Sequence, residues 1–209
     1  MSIKVDPQDI VMDLPRRDSR DKLLGRTKYT IDAGGSDVLH AVLLRSVVPS
    51  ATIKSINFDM AKSMPGVKGI ATYKDAPGRH GLGIADTPIF AEKVIRYNGE
   101  PIAAIAAKSR EQAQAAARAV EIELIKHNPI LTMEASLADG AELVHPEWAD
   151  YDVLFEGAHR KGNIAWEATV VRGDTDKVFA RDDVEVIEGC YSVGRQSHVP
   201  FEPRVAVAS

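Results

Sequence analysis

The residues best placed to do chemistry lie near the end of the chain, where RQSHVPFEP brings Gln196, His198 and Glu202 close together. On an extended backbone, residues an even number apart project from one face, so His198 and Glu202 would point the same way as Gln196. Such a set can hydrogen-bond a cofactor or a substrate at a domain interface, or it can form a buried polar network that ties two domains together. Buried polar groups mostly serve packing and mutual satisfaction, which favours the network. Ser197 beside His198 does not make a nucleophile and base, because neighbours on a strand face opposite ways. His40, His80, His127, His145 and His159 show neither H-x-x-x-H nor H-x-H spacing, so none reads as a metal ligand. Cys190 is the only cysteine. It excludes an internal disulfide and any iron–sulfur cluster built from this chain alone, since such clusters need a full set of thiolates. GRHGLG at 78–83 lacks the Lys-Ser/Thr ending and the capped helix of a phosphate loop, and reads as a surface loop. No catalytic residue and no metal ligand are expected.

The elements around these residues are plainest at 93–126, KVIRYNGEPIAAIAAKSREQAQAAARAVEIELIK. A strand leads to Asn98-Gly99, residues that reach left-handed turn conformations at low cost, and Pro101 enters an apolar run short enough for an interior strand. Ser109 then caps a helix over about 110–120. Gln112, three residues on, completes a capping box, and the helix is rich in alanine, the strongest helix former. Glu121 to Ile125 alternates polar with apolar, a strand with one buried face. Further strands are expected at 38–45, 52–58, 67–73, 184–193 and 204–208, and a short helix at 60–64, capped by Asp59 and stopped by Pro65-Gly66. Residues 1–22 read as a polar arm and 131–180 as an irregular linker. Within that linker Trp148 and Trp166 either anchor a partner or plug a local cluster.

VIRYNGEPIAAIAA, followed by an Ala-rich helix and VEIEL, closely resembles the a/b hammerhead domain of the molybdopterin-binding large subunit of the xanthine dehydrogenase and aldehyde oxidase family, the molybdenum hydroxylases. GRTKYTID, LLRSVVPSATIKSINFDMAKSMPGVKGIAT and KDAPG upstream resemble the same domain, and GNIAWEATVVRGDTDKVFARDDVEVIEGCY with RQSHVPFEPRVAVA resembles the passage into the next. The resemblance implies an α+β chain: arm 1–22, hammerhead domain 23–130, linker 131–180, and the first strands of the molybdopterin-binding domain at 181–209. In that family the glycine-rich loop, the substrate-binding arginine and the catalytic glutamate come later than the residues present here. The chain is therefore expected to be a non-catalytic piece or a split subunit, binding no cofactor alone. The assembled enzyme would hydroxylate an aromatic heterocycle, an aldehyde or a related carbon with water as oxygen source. It would use molybdenum–molybdopterin, [2Fe–2S] clusters and FAD, held partly by an iron–sulfur subunit, an FAD subunit and a chain carrying the rest of the molybdopterin domain. A free-standing hammerhead-like module with an assembly role is the alternative.

Composition narrows the partners. A hydrophobic share of 44% and a charged share of 27% suit an ordinary globular chain. A net charge of −4 with interspersed signs offers no basic face for nucleic acid or anionic membrane. The N-terminal residues carry acids and prolines where a signal peptide needs an apolar stretch, which points to the cytoplasm.

Overall fold

The computed structural model describes residues 16–32, 34–35, 37–154, 161–167 and 169–208, which fall into two units. Most of the expected N-terminal arm, and His159, lie outside the described residues. The smaller unit joins residues 16–38 to 190–208. Its described residues include a short α-helix, α1 (Ser19–Leu23), and a 3-10 turn at Thr30–Asp32, with Asp18 ion-paired to Lys22 at 2.6 Å and to Arg16 at 3.2 Å. The strands expected at 184–193 and 204–208 do not form here. A strand is held by a neighbour's N–H and C=O groups, and these runs lie beside no ladder partner among the described residues.

The larger unit spans 39–189. Its elements are β1 (His40–Arg45), β2 (Ala51–Asn57), α2 (Asp59–Ser63), β3 (Val67–Ala71), β4 (Arg79–His80), β5 (Thr87–Pro88), β6 (Val94–Ile95), β7 (Pro101–Ala107), α3 (Arg110–Arg118), β8 (Glu121–Lys126), α4 (Met133–Leu137) and α5 (Thr175–Phe179). The strands make two antiparallel three-stranded sheets, ordered β1-β7-β3 and β6-β2-β8, and β4 pairs with β5.

β7 reaches both cores. Ile105 packs with Ala61 of α2 and Ala116 of α3, joined by Leu44, Val67, Ile70 and Val120. Ile102 points the other way and packs with Ala51, Ala91 and Ile95, joined by Ile53, Ile122 and Leu124. Alanines at 103, 107, 113 and 116 are fully buried, and their small side chains let α3 lie close on the first sheet.

The turn before β7 is tighter than expected in one respect. Only Gly99 takes a left-handed φ, +90°, and Asn98 does not; the Glu100 N–H donates to the Tyr97 carbonyl at 3.3 Å, as in a type II turn. The two strands it connects belong to different sheets, so the turn is a crossover. Around it, Ser46 N–H donates to Glu100 O and Gly99 N–H to Ser46 O, both at 2.9 Å, and Ala91 N–H donates to Pro101 O at 2.8 Å.

Glu100 is the one charged side chain in this core that is all but excluded from water, 1% exposed. Its Oε2 accepts the Arg96 backbone N–H at 2.6 Å. Burial pushes its carboxyl above the ordinary 4.5, and the bond from Arg96 and the Arg96 charge offset this only in part.

The capping box forms only by half. Ser109 Oγ accepts the Gln112 N–H at 3.3 Å, but the Gln112 side chain makes no return bond to the Ser109 backbone. Gln112 Oε1 instead lies buried over Gly66, without a hydrogen-bond partner among the described residues, where any Cβ would collide with it. Gly66 has φ +87° and its carbonyl accepts the Lys108 N–H at 3.0 Å, so the α2–β3 turn and the start of α3 are fitted to each other. Asp59 does not cap α2. Phe58 occupies the cap position, and Asn57 Oδ1 accepts the Asp59 N–H at 2.9 Å. Met64 is extended because the residue before a proline avoids the helical region.

The stretch expected to be an irregular linker has local order. Thr132 caps α4 by accepting the Ala135 N–H at 3.1 Å, Asp174 caps α5 by accepting the Lys177 N–H at 3.0 Å, and Val153 bridges to Ile84.

Ser109→Ala is expected to cost about 1 kcal/mol. That lowers the melting temperature by about 2–4 °C in a chain of this size, while Lys108→Ala leaves it unchanged. Equal losses would place the helix start elsewhere. Glu100 gives a pH signature. Its folded-state affinity for a proton exceeds that of the unfolded chain, so its contribution to stability is complete below the ordinary value of 4.5 and is lost as pH rises through the higher folded value. Glu100→Gln keeps an oxygen for the Arg96 N–H and is expected to flatten the fall in melting temperature as pH rises above the ordinary carboxyl value of 4.5. Parallel curves for both proteins would show that Glu100 titrates as it does unfolded.

Candidate functional site

Gln196, His198 and Glu202 are all exposed, and no hydrogen bond joins any two of them among the described residues. Val199 between them takes φ +38°, which breaks the extended run and the shared face that alternation predicts. Glu202 has a different partner in its own unit: its Oε1 accepts the Thr30 N–H at 3.1 Å and the Thr30 hydroxyl at 3.2 Å. Among the described residues the three form no buried polar network.

The structure gathers another set of polar side chains. The Arg96 side chain is 10% exposed; its Nε donates to the Val144 carbonyl at 3.1 Å and its Nη2 pairs with Glu147 Oε1. The Arg96 backbone N–H serves Glu100 at the same time, so one residue links the β6–β7 turn to a segment some fifty positions later. That segment is held in several places. Asn163 Oδ1 accepts the Val144 N–H at 2.9 Å, and its Nδ2 donates to Ser136 O at 3.0 Å and Glu142 O at 2.9 Å. Ala85 N–H donates to Asp152 O at 2.9 Å, and Leu154 N–H to Gly83 O at 2.7 Å. The Tyr151 hydroxyl meets His145 Nδ1 at 2.9 Å, and the Arg79 guanidinium lies 5.0 Å above the Tyr151 ring.

The electrostatics of this cluster suit holding more than proton transfer. Burial works to raise the Glu147 carboxyl, but its own backbone N–H, Tyr151 and the Arg96 charge together outweigh it and leave it below the usual range. Burial, and then Glu147, push the Tyr151 phenol up. At neutral pH the first is ionised and the second neutral, and neither sits near the pH at which a general acid or base works best. A cleft of 470 Å³ beside them is lined by Arg79, Ala85, Glu147, Asp150, Tyr151 and Asp152. The arrangement straps residues 142–154 onto the loop at 77–89. Sequence reading missed it because nothing in linear spacing connects Arg96 to Val144 and Glu147. No sequence signal was available, because the burial that makes Arg96 need these acceptors is itself set by tertiary packing.

No three His, Cys, Asp or Glu side chains among the described residues stand together so as to hold a metal ion, and Cys190 is a single exposed thiol. The two tryptophans stay apart from both core clusters, Trp148 partly buried and Trp166 50% exposed.

Residues 24–128 match the family model described as aldehyde oxidase and xanthine dehydrogenase, a/b hammerhead domain. The chain is 33% identical, over 92% of its length, to a probable xanthine dehydrogenase subunit of Bacillus subtilis, of which it spans 24%. It is 31% identical, over 91% of its length, to the nicotinate dehydrogenase large molybdopterin subunit of Eubacterium barkeri, spanning 42% of that protein. Among solved structures, the aldehyde oxidoreductase from Desulfovibrio gigas aligns with 63% of this chain and 16% of its own, at 29% identity and a TM-score of 0.57. A Cu,Mo-CO dehydrogenase aligns with 83% of this chain and 23% of its own, at 25% identity and a TM-score of 0.65. The crossover turn at Gly99, the alanine-lined contact of α3 with β7, and these matches lead to one conclusion: the chain belongs to the aldehyde oxidase and xanthine dehydrogenase family, through its a/b hammerhead domain.

Proposed function

We propose that this chain is a non-catalytic N-terminal part, or a separately made subunit, of a molybdenum hydroxylase that oxidises an aromatic heterocycle, an aldehyde or a related carbon with water as oxygen source. The observation that carries the reading is the extent of the match. The hammerhead stretch covers 24–128, yet the chain spans only 24% and 42% of the relatives named above. On this reading residues 1–22 are an arm, 23–130 the hammerhead domain, 131–180 the linker and 181–209 the start of the molybdopterin-binding domain. The molybdenum–molybdopterin cofactor, with [2Fe–2S] clusters and FAD on partner chains, supplies the redox chemistry of the assembled enzyme. This chain supplies scaffold and contact surface, with Gln196, His198 and Glu202 as interface groups, in the cytoplasm. No helix among the described residues is long and apolar enough to cross a membrane.

An open apolar surface supports a partner. The face of the first sheet turned away from α3 carries Ala41, Leu43, Gly69, Ala71, Ala104 and Ala106; Ala41, Leu43 and Gly69 are exposed. Taken separately from that face, the runs at 184–193 and 204–208 pair with no strand among the described residues, and in the first of them Ile187, Tyr191 and Val193 are each more than four-fifths exposed. A surface of this kind is covered in stable assemblies, with obligate interfaces burying more than about 2,000 Å².

Two measurements test the reading. Elemental analysis of the purified chain is expected to find molybdenum far below stoichiometric, and stoichiometric molybdenum would overturn the non-catalytic assignment. Hydrogen exchange on the chain alone is expected to show protection in β7 and α3 and rapid exchange at 184–208, with protection there appearing on co-expression with a polypeptide that carries the rest of the molybdopterin domain. Protection of both regions in a monodisperse monomer would favour a free-standing assembly module.

A further inference from the structure

We infer that the groove beside β2 receives an extended acidic segment of another polypeptide, which adds to β2 as a strand where β6 stops. Independently of any role in a molybdenum enzyme, β2 has an incomplete neighbour. β8 pairs with it from Ala51 to Asn57, but β6 pairs only with Ala51 and Thr52. Ile53 N–H still donates to Lys93 O at 2.8 Å, and beyond it the chain of β6 turns away, with Ala91 N–H held by Pro101 O. Lys54, Ser55 and Asn57 are exposed. Among the described residues no strand continues along that side of β2 past Ile53, and an open strand edge is a template for pairing.

The space along this edge is a groove of 720 Å³, with Thr52 to Ile56 on one wall and Ile70, Thr72 and the turn to Asp75 on the other. Its lining is two-sided in chemistry. Ile53, Ile56, Ile70 and Ile102 give it an apolar floor, while Lys54, Lys62, Lys74 and Lys93 stand around it. Lys54 is matched by Glu123 at 3.0 Å. Asp75 is turned to Thr72, accepting its N–H at 2.8 Å and its hydroxyl at 3.1 Å. Lys62, Lys74 and Lys93 have no ion-pair partner among the described residues, leaving Glu92 as the acid of the lining not so engaged. A chain with net charge −4 thus places a cationic rim around a free strand edge. The rim selects acidic residues, the floor selects apolar ones, and strand alternation presents both from a single segment. The backbone edge favours a peptide over a small anion, which would leave the N–H and C=O groups of β2 unused.

The test uses the full chain and a fluorescein-labelled peptide of about six residues alternating glutamate and valine, a common strand length. Fluorescence anisotropy is expected to show saturable binding that weakens as salt rises. Lys62→Glu combined with Lys93→Glu is expected to weaken it at least about tenfold, the effect of setting like charges against each other. Both lysines are exposed, so an unchanged melting temperature will confirm that the variant folds. The same peptide N-methylated at alternate amides, which cannot complete a strand ladder, is expected not to bind. Absence of saturable binding, equal binding by a lysine–valine peptide, or full retention of binding by the N-methylated peptide would each overturn the proposal, the last by reducing the contact to charge alone.

Discussion

The two hydrophobic cores of the larger unit depend on β7 having no polar side. A strand in the middle of a sheet with a helix on one face commonly alternates between buried and wet positions. Here Ile105 belongs to the core under α3 and Ile102 to the core of the other sheet, so successive faces of one strand serve two hydrophobic clusters. Because β7 is shared, the sheets cannot settle independently. Leu44 on the neighbouring strand packs against both clusters, and the register of β1 on β7 shifts at Leu44/Arg45, where one core gives way to the other. Interiors are close-packed, so a volume change at either isoleucine is transmitted to whatever packs on the other face.

The crossover turn follows from this constraint. To deliver an apolar strand into the middle of the first sheet directly from the edge of the second, the chain must reverse within a few residues, and backbone groups at the reversal fall where water is scarce. Gly99 supplies the backbone angle, and Ser46, Tyr97, Ala91 and Pro101 supply the partners. Glu100 is the costlier device. A buried carboxylate is tolerated when hydrogen-bonded, and the Arg96 N–H provides that bond. The Arg96 side chain then reaches away from the core to bind Val144 and Glu147, so the residue that steadies the turn also decides where the following strap lies.

What could be read from the sequence was what short-range rules govern. The Gly99 turn, the span of β7, the Ser109 cap and the alternation in β8 each depend on residues within a few positions of one another, and each stands where the pattern put it. The errors have equally local causes. The Asp59 cap failed because the helix begins one residue early, with Phe58 in the cap position and Asp59 already inside, its own N–H taken by Asn57, and the return half of the capping box failed because Gln112 is drawn over Gly66, a contact set by tertiary packing. Strands at 184–193 and 204–208 have strand-forming residues without a neighbour to pair with, and propensity alone does not supply one. The Arg96 cluster was hidden for the opposite reason: its partners are fixed by geometry across some fifty residues, and no periodicity records them.

The same distinction separates two sets of candidate residues. Gln196, His198 and Glu202 lie close in sequence, but the positive φ of Val199 interrupts the extended run, so within this chain they stand as separate exposed groups. By contrast β2, Lys62, Lys74 and Lys93 are scattered through sequence and become neighbours because two small sheets and α2 bring them around one groove. In a chain whose cores are filled mainly by alanine and isoleucine, little polar chemistry remains inside. Capacity to recognise something else must then lie at strand edges and on open sheet faces, the two places where this fold leaves backbone groups and apolar side chains unmatched.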